Sequence, residues 1–147
     1  MMNLTIRPVV VRDRGVWRVM RLTLWPDAIT PEDEADMGVY LKGDGQVAPV
    51  AEVNGRVTGF LEANIRAYAD GCETRDVGYI EGWFVEAGYR RQGVGASLVR
   101  AAEEWARGQG CHEMGSDCHE NIAVCLRAHG ALGYVEKERL VQFGKRL

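Results

Sequence analysis

Val85-Glu86-Ala87-Gly88-Tyr89-Arg90-Arg91-Gln92-Gly93-Val94-Gly95-Ala96 sets two arginines and a Gly-x-Gly between an apolar, β-like run (Tyr79 to Val85) and an amphipathic helix. In that helix Val94, Leu98, Ala101, Ala102 and Trp105 recur at helical spacing, with Arg100, Glu103, Glu104 and Arg107 on the opposite face. The turn between has almost no side-chain bulk, so its backbone N–H groups can point into one hollow. A helix N-terminus carries the equivalent of roughly half a positive charge. Such a hollow suits an anion, above all a phosphate or pyrophosphate. The segment predicts a strand, an anion-binding turn and a helix, with a nucleotide-like cofactor at the turn.

Upstream, Leu4 to Val11 alternates as a strand, and Pro8 marks a strand end or sheet edge. Asp13 is placed to cap a helix whose Val16, Met20 and Leu24 share a face, stopped at Trp25-Pro26. Thr30-Pro31-Glu32-Asp33 opens a second helix that reaches about Leu41 and ends at Gly43. Val47 to Val53 and Val57 to Ile65 are strands joined by Asn54-Gly55, a strong hairpin signal. Gly78 to Val85 is the strand that enters the turn. Downstream, Gly108 and Gly110 end the helix, Glu113 to Ser116 is a short strand, and Asp117 to Leu132 is mostly helix. Two last strands are expected over Tyr134 to Glu138 and Leu140 to Lys145. The expected order is β-α-α-β-β-β-α-β-α-β-β, a mixed sheet with helices on its faces.

The 147 residues suit one domain, and 46% hydrophobic with 27% charged residues is a soluble globular composition. A net charge of −3 argues against nucleic acid and for a neutral or cationic partner. No apolar run reaches the roughly 18 residues of a membrane span, and Met1 to Arg7 lacks a signal-peptide layout. The cytoplasm is the expected compartment. Cys72, Cys111, Cys118 and Cys125 form no Cys-x-x-Cys pair and are expected as reduced thiols. The doublets Cys111-His112 and Cys118-His119 point to opposite faces of an extended chain, so no metal site is expected.

Gly93-x-Gly95 alone does not name the cofactor. A dinucleotide fingerprint needs a third glycine where Leu98 stands, and a P-loop needs Gly-Lys-Ser/Thr, which is absent. What remains, Arg90-x-x-Gly93-x-Gly95 between strand and helix, resembles the acetyl-CoA signature Arg/Gln-x-x-Gly-x-Gly/Ala of the GNAT superfamily of N-acetyltransferases. Within it the chain is similar to the aminoglycoside 6′-N-acetyltransferases. The residues that carry this are Leu24-Trp25-Pro26, Gly59-Phe60, Ile65-Arg66, Gly71-Cys72, Glu81-Gly82-Trp83-Phe84-Val85, Ser116-Asp117 and His129-x-x-Leu132-Gly133-Tyr134. Glu136-x-Glu138-Arg139 and Lys145-Arg146 continue the likeness to the C-terminus. The resemblance implies a GNAT acyl-CoA N-acyltransferase fold, α/β (α+β), over residues 1–147 as a single domain. Its central sheet would be mixed and mostly antiparallel, with helices on both faces.

It also implies direct transfer of acetyl from acetyl-CoA to a primary amine, without a metal. The amides of Gln92, Gly93, Val94, Gly95 and Ala96 would hold the pyrophosphate, aided by Arg90 or Arg91. The pantetheine arm would run along Phe84 and Val85 like an added strand, and an N–H near Val85 would polarise the thioester carbonyl. Asn121 matches a position that contacts that arm. His129 stands where many members carry a tyrosine that acts as general acid. A lysine-like amine must lose a proton at a cost of about 4–5 kcal/mol at pH 7, so a base is needed. Glu81, an acid in an apolar strand, is the first candidate and Asp117 the second, with water as intermediary. Glu81, Asp117 and Glu136 would hold a cationic aminoglycoside, with Trp25 and Tyr68 as walls for its sugar rings. Trp25 also reads as a core residue at a helix end. Members of this group are often homodimers, and a homodimer is expected. Two other readings stay open. One is an acetyltransferase for a polyamine, metabolite or peptide N-terminus; the other is a non-catalytic acyl-CoA-binding module, which would need none of the three acids.

Overall fold

Two β-rich runs joined by Asn54-Gly55 make the middle of the sheet. In the computed structural model, which describes residues 2–147, they are β3 (Pro49–Val53) and β4 (Arg56–Arg66). Asn54 and Gly55 take φ of 50° and 82°, as a tight hairpin turn requires. Met1, the first residue of the stretch weighed above as a signal, lies outside the described residues. β1 (Leu4–Pro8) pairs antiparallel with β3, β5 (Val77–Val85) antiparallel with β4, and β6 (Met114–Ser116) parallel with β5. The strand order is β1-β3-β4-β5-β6, with the two-residue β2 (Gln46–Val47) beside β4. Pro8 thus lies on an edge strand, where its missing N–H costs least.

The described residues divide into two compact units, one reaching to Ser116 and the other Asp117–Leu147. In the first, helices cover both faces of the sheet. α1 (Arg14–Leu24) and α2 (Thr30–Lys42) meet the face that carries Phe60 and Val50, with Trp17, Met20 and Met37 fully buried between. Each large side chain there contributes about 2–3 kcal/mol by leaving water. α3 (Val94–Gly108) covers the other face with Val94, Leu98, Ala102 and Ala106. Gly59 admits it: a Cβ at Gly59 would stand 3.3 Å from Leu98 Cδ1 and 2.8 Å from the Phe84 carbonyl.

Three expectations need correction. Asp13 does not cap α1. Its carboxylate is taken by the Arg7 guanidinium at 2.7 and 3.0 Å and by the Val10 N–H at 2.9 Å, and Arg7 holds it below the usual carboxylate range. The helix expected from Asp117 shrinks to α4 (Ala123–Ala131). The last two strands, 134–138 and 140–145, are absent: residues 134–147 adopt no regular element. A strand exists only while another strand takes its N–H and C=O groups, and no described residue pairs with these. Val135, Leu140, Val141, Phe143 and Leu147 stand exposed there. The observed order is therefore β-α-α-β-β-β-β-α-β-α.

Candidate active site

The turn after β5 is built as its composition predicts. Gly93 sits at φ 84°, a left-handed conformation that costs glycine nothing, and caps α3. The first backbone bond of the helix runs from Ser97 N–H to Gly93 O at 3.0 Å. The amides of Val94, Gly95 and Ala96 precede it, at the electropositive end of a 15-residue helix. Gly95 is needed for a different reason: a Cβ there would come within 3.1 Å of the Trp83 indole. Arg90 folds back, donating from Nε to the Val85 carbonyl at 2.7 Å with its guanidinium 5.8 Å from the Phe84 ring. Gln92 donates to the Gly88 carbonyl at 3.1 Å. Arg91, the second arginine of the turn, is exposed at φ 61°.

Glu81 owes its position to a break in the sheet. Glu62 pairs with Gly82 and Ala63 with Ile80, so Glu81 is the extra residue of a β-bulge in β5. Beyond Ile80, β6 no longer pairs with β5, and among the described residues no strand pairs with that edge of residues 81–85. Glu81 lines a cavity of about 550 Å³ together with Trp25, Tyr40 and Asn64. Its carboxylate is gripped by Arg66 through Nε and Nη2, both at 2.9 Å, and that guanidinium lies 3.6 Å over the Tyr79 ring. Trp25 is both core and wall. It packs edge-on to Phe60 at 6.3 Å and rests on Gly82, where a Cβ would meet its ring at 2.4 Å. Tyr68 is 73% exposed, in the loop after β4, and is not among the residues that line this cavity.

The cavity lining also holds acids other than Glu81. Arg21 of α1, nearly buried, donates from Nε to Asp33 Oδ1 at 2.8 Å and from Nη1 to Glu62 Oε1, and its Nη2 lies 3.6 Å from Asp36. Its guanidinium stacks 5.0 Å from the Trp25 ring. Burial pushes the Glu62 carboxyl up to about 7 against the pull of Arg21. Burial, with Glu62 and Glu81 nearby, also raises the Tyr40 phenol well above its ordinary value. The signal for Glu62 was present in the sequence: it interrupts the apolar run Gly59-Phe60-Leu61-Glu62-Ala63 as Glu81 interrupts β5.

The second unit carries Asp117, Asn121, His129 and Glu136. Asp117 and Asn121 are exposed in the segment before α4. His129 donates from Nδ1 to the Cys125 carbonyl at 2.8 Å and meets the Tyr134 ring edge-on at 5.9 Å. Glu136 is exposed and held by Arg139 at 2.5 Å, which keeps its carboxyl below the usual range. Cys118, Cys125 and His129 bring their ligand atoms within 4.8 Å of one another, a grouping other than the doublets weighed from the sequence. Its trace in the sequence is the one-turn spacing of Cys125 and His129 on one helix face.

Comparison with known proteins follows the same lines. A sequence model of the acetyltransferase (GNAT) family matches residues 17–134. The chain is 40% identical to an aminoglycoside N(6′)-acetyltransferase type 1 of Klebsiella aerogenes, over 97% of this chain and 96% of that one. It is 36% identical to the enzyme of the same name from Stenotrophomonas maltophilia, over 95% and 91%. Among solved structures it superposes on AAC(6′)-Iy in complex with the bisubstrate analogue CoA-S-monomethyl-acetylneamine with a TM-score of 0.93 and 33% identity, covering 99% of both chains. AAC(6′)-Ih from Acinetobacter baumannii gives 0.90 at 31% identity, again over 99% of both. Likeness of this extent, in sequence and in shape, leaves one conclusion: the chain belongs to the acetyltransferase (GNAT) family.

Proposed function

We propose that this protein is an aminoglycoside 6′-N-acetyltransferase, moving acetyl from acetyl-CoA directly onto the 6′-amine of an aminoglycoside in one ternary complex. One observation carries the reading. The bulge at Glu81 turns a carboxylate into an acidic cavity walled by Trp25, on the same strand whose end opens into an anion-binding turn. The activity for which the relatives are named, and the acetylneamine portion of the bisubstrate analogue bound to AAC(6′)-Iy, support the acceptor.

The turn fits acetyl-CoA because Gly93, at φ 84°, turns the chain into α3 and leaves the amides of Val94, Gly95 and Ala96 at the electropositive helix end. Acetyl-CoA would supply the thioester and a good leaving group, since a thiol of pKa near 8.5 departs without strong assistance. The amides of Gln92 to Ala96 and the Arg91 guanidinium hold the pyrophosphate. Arg90 shapes the turn through Val85 O. Phe84 and Val85 border the pantetheine arm along the unpaired edge of β5, and an N–H near Val85 donates to the carbonyl oxygen as charge develops.

Glu81 accepts the proton of the substrate ammonium, directly or through water. The C–N bond then forms as the C–S bond breaks. Because Arg66 holds both Glu81 oxygens, the ammonium must compete for one of them. From the family resemblance alone we assign Asp117 as the second acid toward the amine, Asn121 and His129 to the pantetheine arm, Glu136 to substrate and Tyr68 to a sugar ring. We assign the 147-residue chain as one acetyltransferase domain, working in the cytoplasm as a homodimer. The exposed apolar side chains of residues 134–147 would be covered by a second copy. Among the described residues, no helix is long and apolar enough to cross a membrane.

The test is acetyl-CoA consumption with kanamycin-type aminoglycosides bearing a 6′-amine, against spermidine and peptide amines. Turnover confined to the 6′-amino compounds is expected. Turnover only with the others would reassign the acceptor, and none with any amine would leave a binding module.

A further inference from the structure

Asp117–Leu147 is a unit without a core: among the described residues, none of those it contains is buried. Units below about 40 residues seldom hold their shape on apolar contacts alone and usually add a disulfide, a metal or a partner. Its helix is also weakly started. α4 has nine residues, and Ile122 at its N-cap offers no side-chain acceptor to the first N–H groups. Three side chains converge at that start. A turn, with Ile122 N–H donating to His119 O at 3.0 Å, folds the preceding segment back. Cys118 thereby meets Cys125 in the first turn of α4 and His129 one turn further on. Their ligand atoms all lie within 4.8 Å of one another, and Cys125 Sγ is 3.6 Å from His129 Nδ1. A tetrahedral zinc ion, bonded at about 2.3 Å to sulfur and about 2.0–2.1 Å to imidazole nitrogen, sets such atoms about 3.5–3.8 Å apart. All three side chains are half-buried, so an ion reaches them from solvent.

We propose that Cys118, Cys125 and His129 bind one zinc ion, which ties the segment carrying Asp117 and Asn121 to α4. The donor set selects the ion. Two thiolates and an imidazole suit a borderline-soft cation, whereas Mg²⁺ and Ca²⁺ call for oxygen ligands that this trio lacks. Binding replaces two S–H bonds with two Zn–S bonds and releases two protons to solvent. His129 changes tautomer without losing a proton. Its Nδ1 donates to the Cys125 carbonyl at 2.8 Å in the structure; on binding, the ring proton passes through solvent to Nε2 and the Nδ1 lone pair turns to the ion. The fourth position of the tetrahedron is left to water. The ion is a staple with no part in acetyl transfer, and the site stands whatever amine the cavity accepts.

The experiment titrates the reduced, chelator-treated full chain with Zn²⁺ by calorimetry and with Co²⁺ by absorption. One equivalent of Zn²⁺ should bind with release of about two protons, read from the buffer dependence of the heat. Co²⁺ should give an intense thiolate-to-metal charge-transfer band. Cys118→Ser and Cys125→Ser should each weaken Zn²⁺ binding more than about 100-fold, beyond the loss typical of a residue that only supports a ligand. Cys72→Ser, which alters the half-buried cysteine of the first unit, should bind as the wild type does. A second measurement needs no variant. Because the free thiolate is the nucleophile, Zn²⁺ should slow iodoacetamide alkylation of Cys118 and Cys125 at least about ten-fold, by peptide mass spectrometry, and leave Cys72 unaffected. Mg²⁺ should do neither. No Zn²⁺ binding by the wild type, binding unweakened in Cys118→Ser and Cys125→Ser, or equal protection of Cys72 would each overturn the site. Wild-type protection confined to Cys118 and Cys125 supports it even if the serine variants fold poorly.

Discussion

Glu81 and Glu62 are two acids on neighbouring strands, and what separates them is their partners. Glu81 is half-buried and held through both oxygens by Arg66, whereas Glu62 is buried and leaves one oxygen unmatched. General bases contribute about 10²–10⁴-fold, so Glu81→Gln should lower kcat/KM for a 6′-amino aminoglycoside at least 100-fold. The deficit should be deepest at low pH, where free amine is scarcest; an unaltered pH–rate profile would move the role to Asp117 or water. Glu62 has a separate consequence for stability. Its folded pKa, about 7, lies above the ordinary 4.5, so between those values the native state binds more protons than the unfolded one. Stability from this group is therefore full below pH 4.5 and declines as pH rises to about 7, by a few kcal/mol. Urea unfolding of wild type and Glu62→Gln at pH 5 and pH 8 should show the wild type relatively more stable at pH 5. The reverse order would mean that Arg21 dominates burial at this site.

At the scale of elements, the glycines decide which half of the reaction each piece of backbone serves. Gly95→Val would drive a side chain into Trp83 and crowd the start of α3. It should raise the acetyl-CoA KM about ten-fold or more while the acceptor KM moves little. Gly82→Ala would displace Trp25 from its seat, and here the acceptor KM should rise with that of acetyl-CoA unchanged. Steady-state kinetics with each substrate varied in turn separates the two. The turn itself was legible from Arg90 to Ala96, because Gly-x-Gly between an apolar run and an amphipathic helix admits few geometries. The hairpin at Asn54-Gly55 was legible for the same local reason. The role of Arg90 was not: its hydrogen bond to Val85 O depends on how the turn folds back, which spacing does not reveal. Nor was the Arg21 cluster, whose members come from α1, α2 and β4 and meet only through tertiary packing.

The whole chain shows where a sequence pattern stops being sufficient. Residues 134–147 carry a strand-like mixture of Val135, Leu140, Val141 and Phe143, yet these side chains stand in solvent without a partner strand. Alternation declares a preference for a sheet and says nothing of whether the chain supplies the edge. If a second copy covers these residues, Val141→Asp combined with Phe143→Asp should shift the protein from dimer to monomer by analytical ultracentrifugation. The first unit should keep its circular dichroism signature. A wild-type protein that sediments as a monomer at micromolar concentration would refute the homodimer.

The bulge in β5 also fixes what kinds of genetic change the active strand tolerates. Strand residues alternate between faces, but Glu81 and Gly82 both turn to the cavity side, because the pairing of Glu62 with Gly82 and Ala63 with Ile80 skips one residue. The parity of the strand therefore changes at position 81. A substitution there removes a carboxylate and leaves the count intact. A one-residue deletion would restore regular pairing, yet rotate either Tyr79 away from Arg66 or Trp83 and Val85 away from α3. A substitution at position 81 thus costs the carboxylate alone, whereas a deletion costs the register of the whole strand, and length variation in this strand should be far rarer than variation in its residues.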